Sequence, residues 1–195
     1  ADRKTRAILR QDNPFPNFAQ DPRFDKTSAP GDKRVKAPEM LVNFRDDGKQ
    51  ISQVQTTRQS LLEEFPLRPE RDKTNLTANA FHLVFVPNTR QLSQLRQFGN
   101  FRYNEADQEA RAGEARYFAE TRRTVLKDSP VVRDSSSRTS ADVFEFEPAQ
   151  NLVKARGNVR SAFESRNELT QPGMFRPDKP VYASADFLDV QTRNG

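Results

Sequence analysis

Residues 37–57 reappear 41 positions later in the same chain, and a segment that repeats must fold as a unit able to stack on its own copies. Gln50-Ile51-Ser52-Gln53-Val54 falls on Gln91-Leu92-Ser93-Gln94-Leu95, with Ala37 on Ala78, Val42 on Leu83 and Phe44 on Phe85. A second alignment sets Ala80 to Pro87 on Ala141 to Pro148. After a slip of three residues it sets Gly99-Asn100-Phe101-Arg102 on Gly157-Asn158-Val159-Arg160. A third lays Ser140 to Phe146 on Ser184 to Val190, at an offset of 44. Gly113, Glu114 and Phe118 fit the same frame, but there Arg116 takes the place filled elsewhere by Val42, Leu83, Phe144 or Leu188.

Within each copy the apolar residues alternate. Side chains two apart on a strand share a face, so Val42 with Phe44, Leu83 with Phe85, Phe144 with Phe146 and Leu188 with Val190 point one way. Asn43, Glu145 and Asp189 point the other, as in an antiparallel sheet with one wet face. Each first strand ends in a breaker, Asp46-Asp47-Gly48, Pro87-Asn88 or Pro148 to Asn151. The return strands carry Val54, Leu95 and Phe101, or Val153, Ala155 and Val159, on the inward side. A lone strand-turn-strand unit cannot bury its own apolar face. The expectation is an all-β slab-like solenoid or jellyroll of two facing sheets, with a thin core. Arg116 marks either a register shift by a bulge or a charged place in the interior.

Composition limits the chemistry. Ile, Leu, Val and Phe make up 43 of 195 residues, about 22%, just above the level at which disorder becomes the better expectation, so a fold here uses its apolar residues sparingly. There is no Cys and only one His, which removes disulfides, thiolate chemistry and any site needing two imidazoles. With 30% charged residues and 13 Pro, no run resembles a membrane-spanning helix, and the expectation is a protein peripheral to membranes, not embedded in them. The net charge of +5 is spread as 32 basic and 27 acidic residues, a two-sign surface rather than a nucleic-acid footprint. No Gly-rich phosphate loop occurs, and no cofactor, metal or enzymatic activity is expected.

The rest of the chain divides around the repeat. Residues 1–34, with Ala7-Ile8-Leu9 followed by a Pro-rich stretch, read as an irregular N-terminal arm, and residues 35–195 as one β domain. Polar stretches from Arg58 to Thr74, Lys127 to Thr139 and Ala162 to Pro180 read as loops that interrupt the stack. Ser60 to Glu64 keeps the option of one helical turn, and Asn104 to Ala112 a helical option from its composition.

A small residue and an acid, alternating apolar positions, a Pro turn and then Ala-x-Gly-Asn-Val resembles the OstA-like repeat of the lipopolysaccharide-transport proteins, the family of LptA, LptC and the N-terminal domain of LptD. Ala141 to Arg160 (ADVFEFEPAQNLVKARGNVR) is similar to a full unit, Ala80 to Tyr103 to a looser one, and Ala185 to Gly195 to a first half. The resemblance implies a twisted OstA-like β-jellyroll in the periplasm, serving outer-membrane biogenesis in a Gram-negative envelope. It implies that lipopolysaccharide or a similar glycolipid is bound and transferred, its acyl chains in an apolar groove. By matching position the lining would be Val42, Phe44, Leu83, Phe85, Phe101, Phe144, Phe146, Val159 and Leu188. It also implies other jellyroll subunits or transport components as partners, joined by edge-strand pairing. The Asn194-Gly195 ending fits either an exposed edge or a boundary within a longer repeat protein.

Blander readings stand beside these. The inward residues also suit a closed sandwich core. His82 alternates to the outer face, and Glu145 and Glu147 share a wet strand face with no pocket to make them a catalytic pair. Asp142 and Asp186 suit strand starts and turn hydrogen bonds. Lys154, Arg156 and Arg160 form an outward basic stripe, either a contact for anionic glycolipid or a solvated guard against edge aggregation. The alternative function is a β-repeat scaffold that binds protein or anionic polysaccharide through its edges and basic face.

Overall fold

The computed structural model describes residues 6–10, 33–64, 74–89, 91–164 and 180–191. Among them the chain is β throughout, apart from one 3-10 turn at Pro148–Gln150. Numbered in chain order, β1 (Arg6–Arg10), β3 (Glu39–Phe44), β4 (Ile51–Thr57), β7 (Ala80–Phe85), β10 (Arg123–Lys127) and β13 (Val143–Glu147) belong to a first layer. A second layer holds β2 (Lys33–Lys36), β5 (Ser60–Glu64), β6 (Thr74–Ala78), β11 (Val131–Arg133) and β12 (Ser137–Ser140). Four long strands run through both layers: β8 (Leu92–Glu105), β9 (Gln108–Phe118) and β14 (Leu152–Phe163) pair with strands of each and fold the sheet over on itself, and β15 (Val181–Gln191) lies along β14. All pairings are antiparallel.

The corner between the layers is where the sequence repeat does its work. In β8 and β14, Gly99-Asn100 and Gly157-Asn158 all have positive φ, 67° and 53°, then 71° and 48°, and the registers slip there. An extra left-handed residue bends a strand sharply, which carries each chain from one layer into the other. The neighbouring connections turn at the same corner: the Asn79 N–H donates to the Gly99 carbonyl and the Asp142 N–H to that of Gly157, both at 2.8 Å. Ala78 and Ala141, which precede Asn79 and Asp142, are buried beside these turns, and a small residue is what close approach of two backbones allows.

This geometry corrects the repeat frame. The corner equates Ala78-Asn79 with Ala141-Asp142, so Ala78, and not Ala80, matches Ala141. Phe81 then corresponds to Phe144 and Leu83 to Phe146, two residues from the frame read in the sequence. The offset of 41 does hold: β3–β4 and β7–β8 carry the same bulge, the registers jumping between Asn43 and Phe44 and between Val84 and Phe85.

The two helical options and part of the loop reading are overturned. Ser60 to Glu64 is a strand, and Asn104 to Ala112 is the hairpin of β8 and β9 about Ala106-Asp107, with Ala106 at a φ of 49°. A helix that short cannot nucleate unaided, whereas ladder pairing is available on both sides. Two of the three stretches read as interrupting loops, Arg58 to Thr74 and Lys127 to Thr139, supply β5, β11 and most of β12, hence much of the second layer, while residues 165–179 of the third lie outside the described residues. These strands escaped notice because their inward positions are often Ser or Thr. Within the segment read as an arm, Arg6–Arg10 pairs with β3 and the last two residues start β2, while residues 11–32 lie outside the described residues.

Candidate functional site: an apolar trough between the layers

Following the cross-strand partners through the first layer gives rows of side chains parallel to the corner. The row nearest the corner runs Phe81, Gln97, Ala115, Leu126, Phe144, Ala155 and Leu188. All but Leu188 are buried, Phe144 to 3% exposure and Phe81 to 1%. The Thr56 hydroxyl joins this end by accepting the Phe81 N–H at 2.8 Å. The next row runs Val42, Val54, Leu83, Leu95, Tyr117, Thr124, Phe146, Val153 and Val190. Of these only Leu83 and Leu95 are buried, and Val190 is 42% exposed. The outermost row holds Phe44 opposite Ile51 and Phe85 opposite Leu92, with Ile51 at 40%.

The second layer answers with Val35, Leu62, Leu76, Tyr103, Ala110, Val132, Thr139, Ser161 and Ala183 in one row. Where the layers meet at the corner, two apolar clusters close the space. One joins Leu62 and Ala78 to Phe81, Leu83 and Leu95; the other joins Phe101, Ala112 and Val159 to Leu126, Phe144 and Ala155. Away from the corner exposure rises row by row, so the inward side chains form a mainly apolar trough wall, buried along its floor and half-buried along its lip.

The nine candidate lining residues therefore divide. Leu83, Phe101, Phe144 and Val159 lie buried in the floor clusters, while Phe85, Phe146 and Leu188 pack against those clusters and are half-buried. Phe144 and Phe146 stack, ring centroids 6.0 Å apart, and so link floor to lip. Val42 and Phe44 are half-buried at the β3 end and belong to neither cluster. The sequence missed Tyr117 and the whole second-layer row. Tyr117 fills the place assigned to Arg116, because β9 is read one residue out of frame; Arg116 and Phe118 lie in other rows, facing outward. Gln97, buried in the floor row with no partner for its amide oxygen, has no counterpart in the other copies.

Two tyrosines thus border the space, together with Gln97, Thr124, Thr139 and Ser161 among the mainly apolar rows. Burial raises the Tyr103 phenol well above its ordinary pKa, and its hydrogen bond to Glu105 adds to this, so it remains a neutral wall.

The outer face of the first layer is a ladder of ion pairs. Glu114 accepts from Arg96 and, at 2.6 Å, from Arg116; burial pushes its carboxyl up, but the two guanidiniums outweigh this and hold it below the usual range. Arg123 meets Glu145 at 3.1 Å and Lys154 meets Glu147 at 2.8 Å, so the two glutamates are each paired with a cation. Lys154 is thereby neutralised, and the corner at Gly157 separates Arg156 from Arg160, so the basic stripe read in the sequence is not continuous. His82 faces outward, its Nε2 3.3 Å from Gln53 Oε1. Asp142 accepts from the Asn158 amide at 2.9 Å, a turn role. Among the described residues no group of three or more His, Asp or Glu is placed to hold a metal, and no helix is long and apolar enough to cross a membrane.

No family model matches the sequence, and no curated protein matches it. The fold is similar to the crystal structure of LptH, the LptA-homologous periplasmic component of the conserved lipopolysaccharide transport device from Pseudomonas aeruginosa, with a TM-score of 0.50. The likeness covers 78% of this chain and 94% of that one at 17% sequence identity. Likeness at this level is a statement about architecture, and the architecture of this chain is an LptA-like β-jellyroll.

Proposed function

We propose that the protein binds lipopolysaccharide or a closely similar glycolipid in the periplasm, holds its acyl chains in the trough between the two layers, and passes it on without chemical change. The observation that carries this reading is the gradient of exposure across the inward rows, from the closed floor at Phe81 and Phe144 to the half-open lip at Phe85 and Phe146. A closed sandwich would bury its middle row as fully as its floor. Each methylene moved from water into such a trough gains about 0.8 kcal/mol, so several chains bind by burial alone. Hand-over to other jellyroll subunits or transport components would use the outer edge of β15, where Tyr182 and Phe187 are well exposed.

Phe146→Asp puts a charge on the lip while leaving the floor cluster intact. Binding of fluorescently labelled lipopolysaccharide should weaken at least tenfold with the β circular-dichroism signal retained, and Phe85→Asp should do the same at the other end. Undiminished binding by both variants defeats the trough assignment.

A further inference from the structure

Five polar or charged side chains are buried among the described residues, and four of them are engaged. Thr56 and Ser60 bond to one another at 2.6 Å, Ser161 meets Thr139 at 2.9 Å, and Glu63 meets the Lys36 ammonium at 3.0 Å. The fifth is Gln97, 2% exposed, whose amide oxygen has no partner. It stands in the floor row between Phe81 and Ala115, on the inward face of β8. The other copies settle the equivalent place differently. Opposite Phe144, β14 has the apolar Ala155. On β4 the 41-residue offset gives Thr56, whose hydroxyl accepts the Phe81 N–H.

A buried amide oxygen without a donor forfeits the hydrogen bonds it makes in water, whereas a leucine or methionine of similar volume would fill the same place without that loss. The surroundings offer the oxygen nothing in return. Phe81 and Leu95 belong to one floor cluster and Ala115 to the other, so Gln97 lies on the seam where the apolar packing of the floor is interrupted.

We propose that Gln97 is a specificity-determining residue of the trough, its amide oxygen accepting a hydrogen bond from a hydroxyl carried far along an acyl chain. This rests on the reading of the trough as a lipid site. A lone acceptor in apolar surroundings selects a donor borne on an apolar body, and a chain pressing in from the lip parts the floor at the seam, where its cohesion is least. Depth decides which part of the chain arrives. Phe85 on the lip and Phe81 on the floor are four residues apart on β7, about 13 Å along the strand. A chain that keeps its polar end in water at the lip therefore brings its far carbons to Gln97, and a hydroxyl next to the head group stays out of reach.

The full chain is titrated by calorimetry, below the micelle concentration, with dodecanoate, 12-hydroxydodecanoate and 2-hydroxydodecanoate. A site built to hydrogen-bond a hydroxyl discriminates against the analogue lacking it, so the wild type should bind the 12-hydroxy chain at least fivefold more tightly than dodecanoate. The 2-hydroxy chain should bind within twofold of dodecanoate. Gln97→Leu should bind the 12-hydroxy chain at least tenfold more weakly than the wild type does and dodecanoate equally or more tightly, with the melting temperature unchanged or raised. Gln97→Met, of similar length but without the amide, should behave as the leucine variant does. The same 12-hydroxy affinity in the wild type and both variants overturns the proposal and, provided dodecanoate binds, leaves the trough reading standing. A melting temperature lowered in both variants assigns the amide to the fold and overturns it too. So does failure of all three chains to bind, and whether labelled lipopolysaccharide still binds then decides if the trough reading falls as well.

Discussion

Phe81→Ala should lower the stability of the domain by about 3–5 kcal/mol, the usual cost of truncating a buried phenylalanine. The ring is 1% exposed and projects from β7 in the first layer against Leu62 of β5 and Ala78 of β6 in the second. Its loss removes both the transferred apolar area and the contact that pins the layers together at the corner. For a chain of this length 1 kcal/mol shifts the melting temperature by about 2–4 °C, so a fall of roughly 10 °C is expected in a thermal melt. Phe187→Ala is the contrast: that ring is 65% exposed, and its removal should stay within about 0.5 kcal/mol. Similar losses for the two would mean that the floor cluster does not hold the layers together.

The second large effect belongs to the backbone. Gly157 has a φ of +71°, and a Cβ built there would lie 2.2 Å from Asp142 Oδ2, the atom that accepts the Asn158 amide. Gly157→Ala therefore pays the left-handed penalty of about 1–2 kcal/mol and must also displace Asp142, breaking a hydrogen bond worth about 1 kcal/mol more. We expect about 2–3 kcal/mol in total from denaturant unfolding. Gly48 separates the two contributions, since its φ of +65° is similar but nothing lies within 4 Å of its Cβ position. Gly48→Ala should cost only the conformational part, about 1 kcal/mol. A Gly157→Ala loss no larger than that of Gly48→Ala would show that the corner tolerates a side chain and does not set the fold.

How much of this was legible in the sequence follows from which interactions leave a local pattern. Alternation about Val42, Leu83, Phe144 and Leu188 identifies inward faces because burial on one side of a sheet imposes a period of two. Gly-Asn pairs at 99 and 157 are conspicuous because few residues accept positive φ. The second layer was not legible. Ser60, Thr139 and Ser161 face inward but are polar: Thr56 meets Ser60 at 2.6 Å, and Thr139 meets Ser161 at 2.9 Å. Such hydrogen bonds join residues brought together only by the fold. The frame error of two residues at Ala80 has the same root, since a shift of two preserves every inward and outward assignment while moving each side chain one row along the trough. Arg116 was misplaced by one residue, which reverses the face, and only its shared contact with Glu114 and Arg96 on the wet side reveals it. Of the site, the residue types of the trough wall were legible; the division into floor and lip follows each row's distance from the corner.

The most direct test of an open trough places a photo-crosslinking amino acid at single positions of the intact protein in the presence of lipopolysaccharide. Phe85 and His82 lie on the same strand and face opposite sides of the first layer. Crosslinks to lipopolysaccharide at positions 85 and 146, with none at 82, are the predicted result. Equal labelling at 82 and 85, or labelling at 82 alone, would contradict an interior site and return the protein to the class of scaffolds with a closed core.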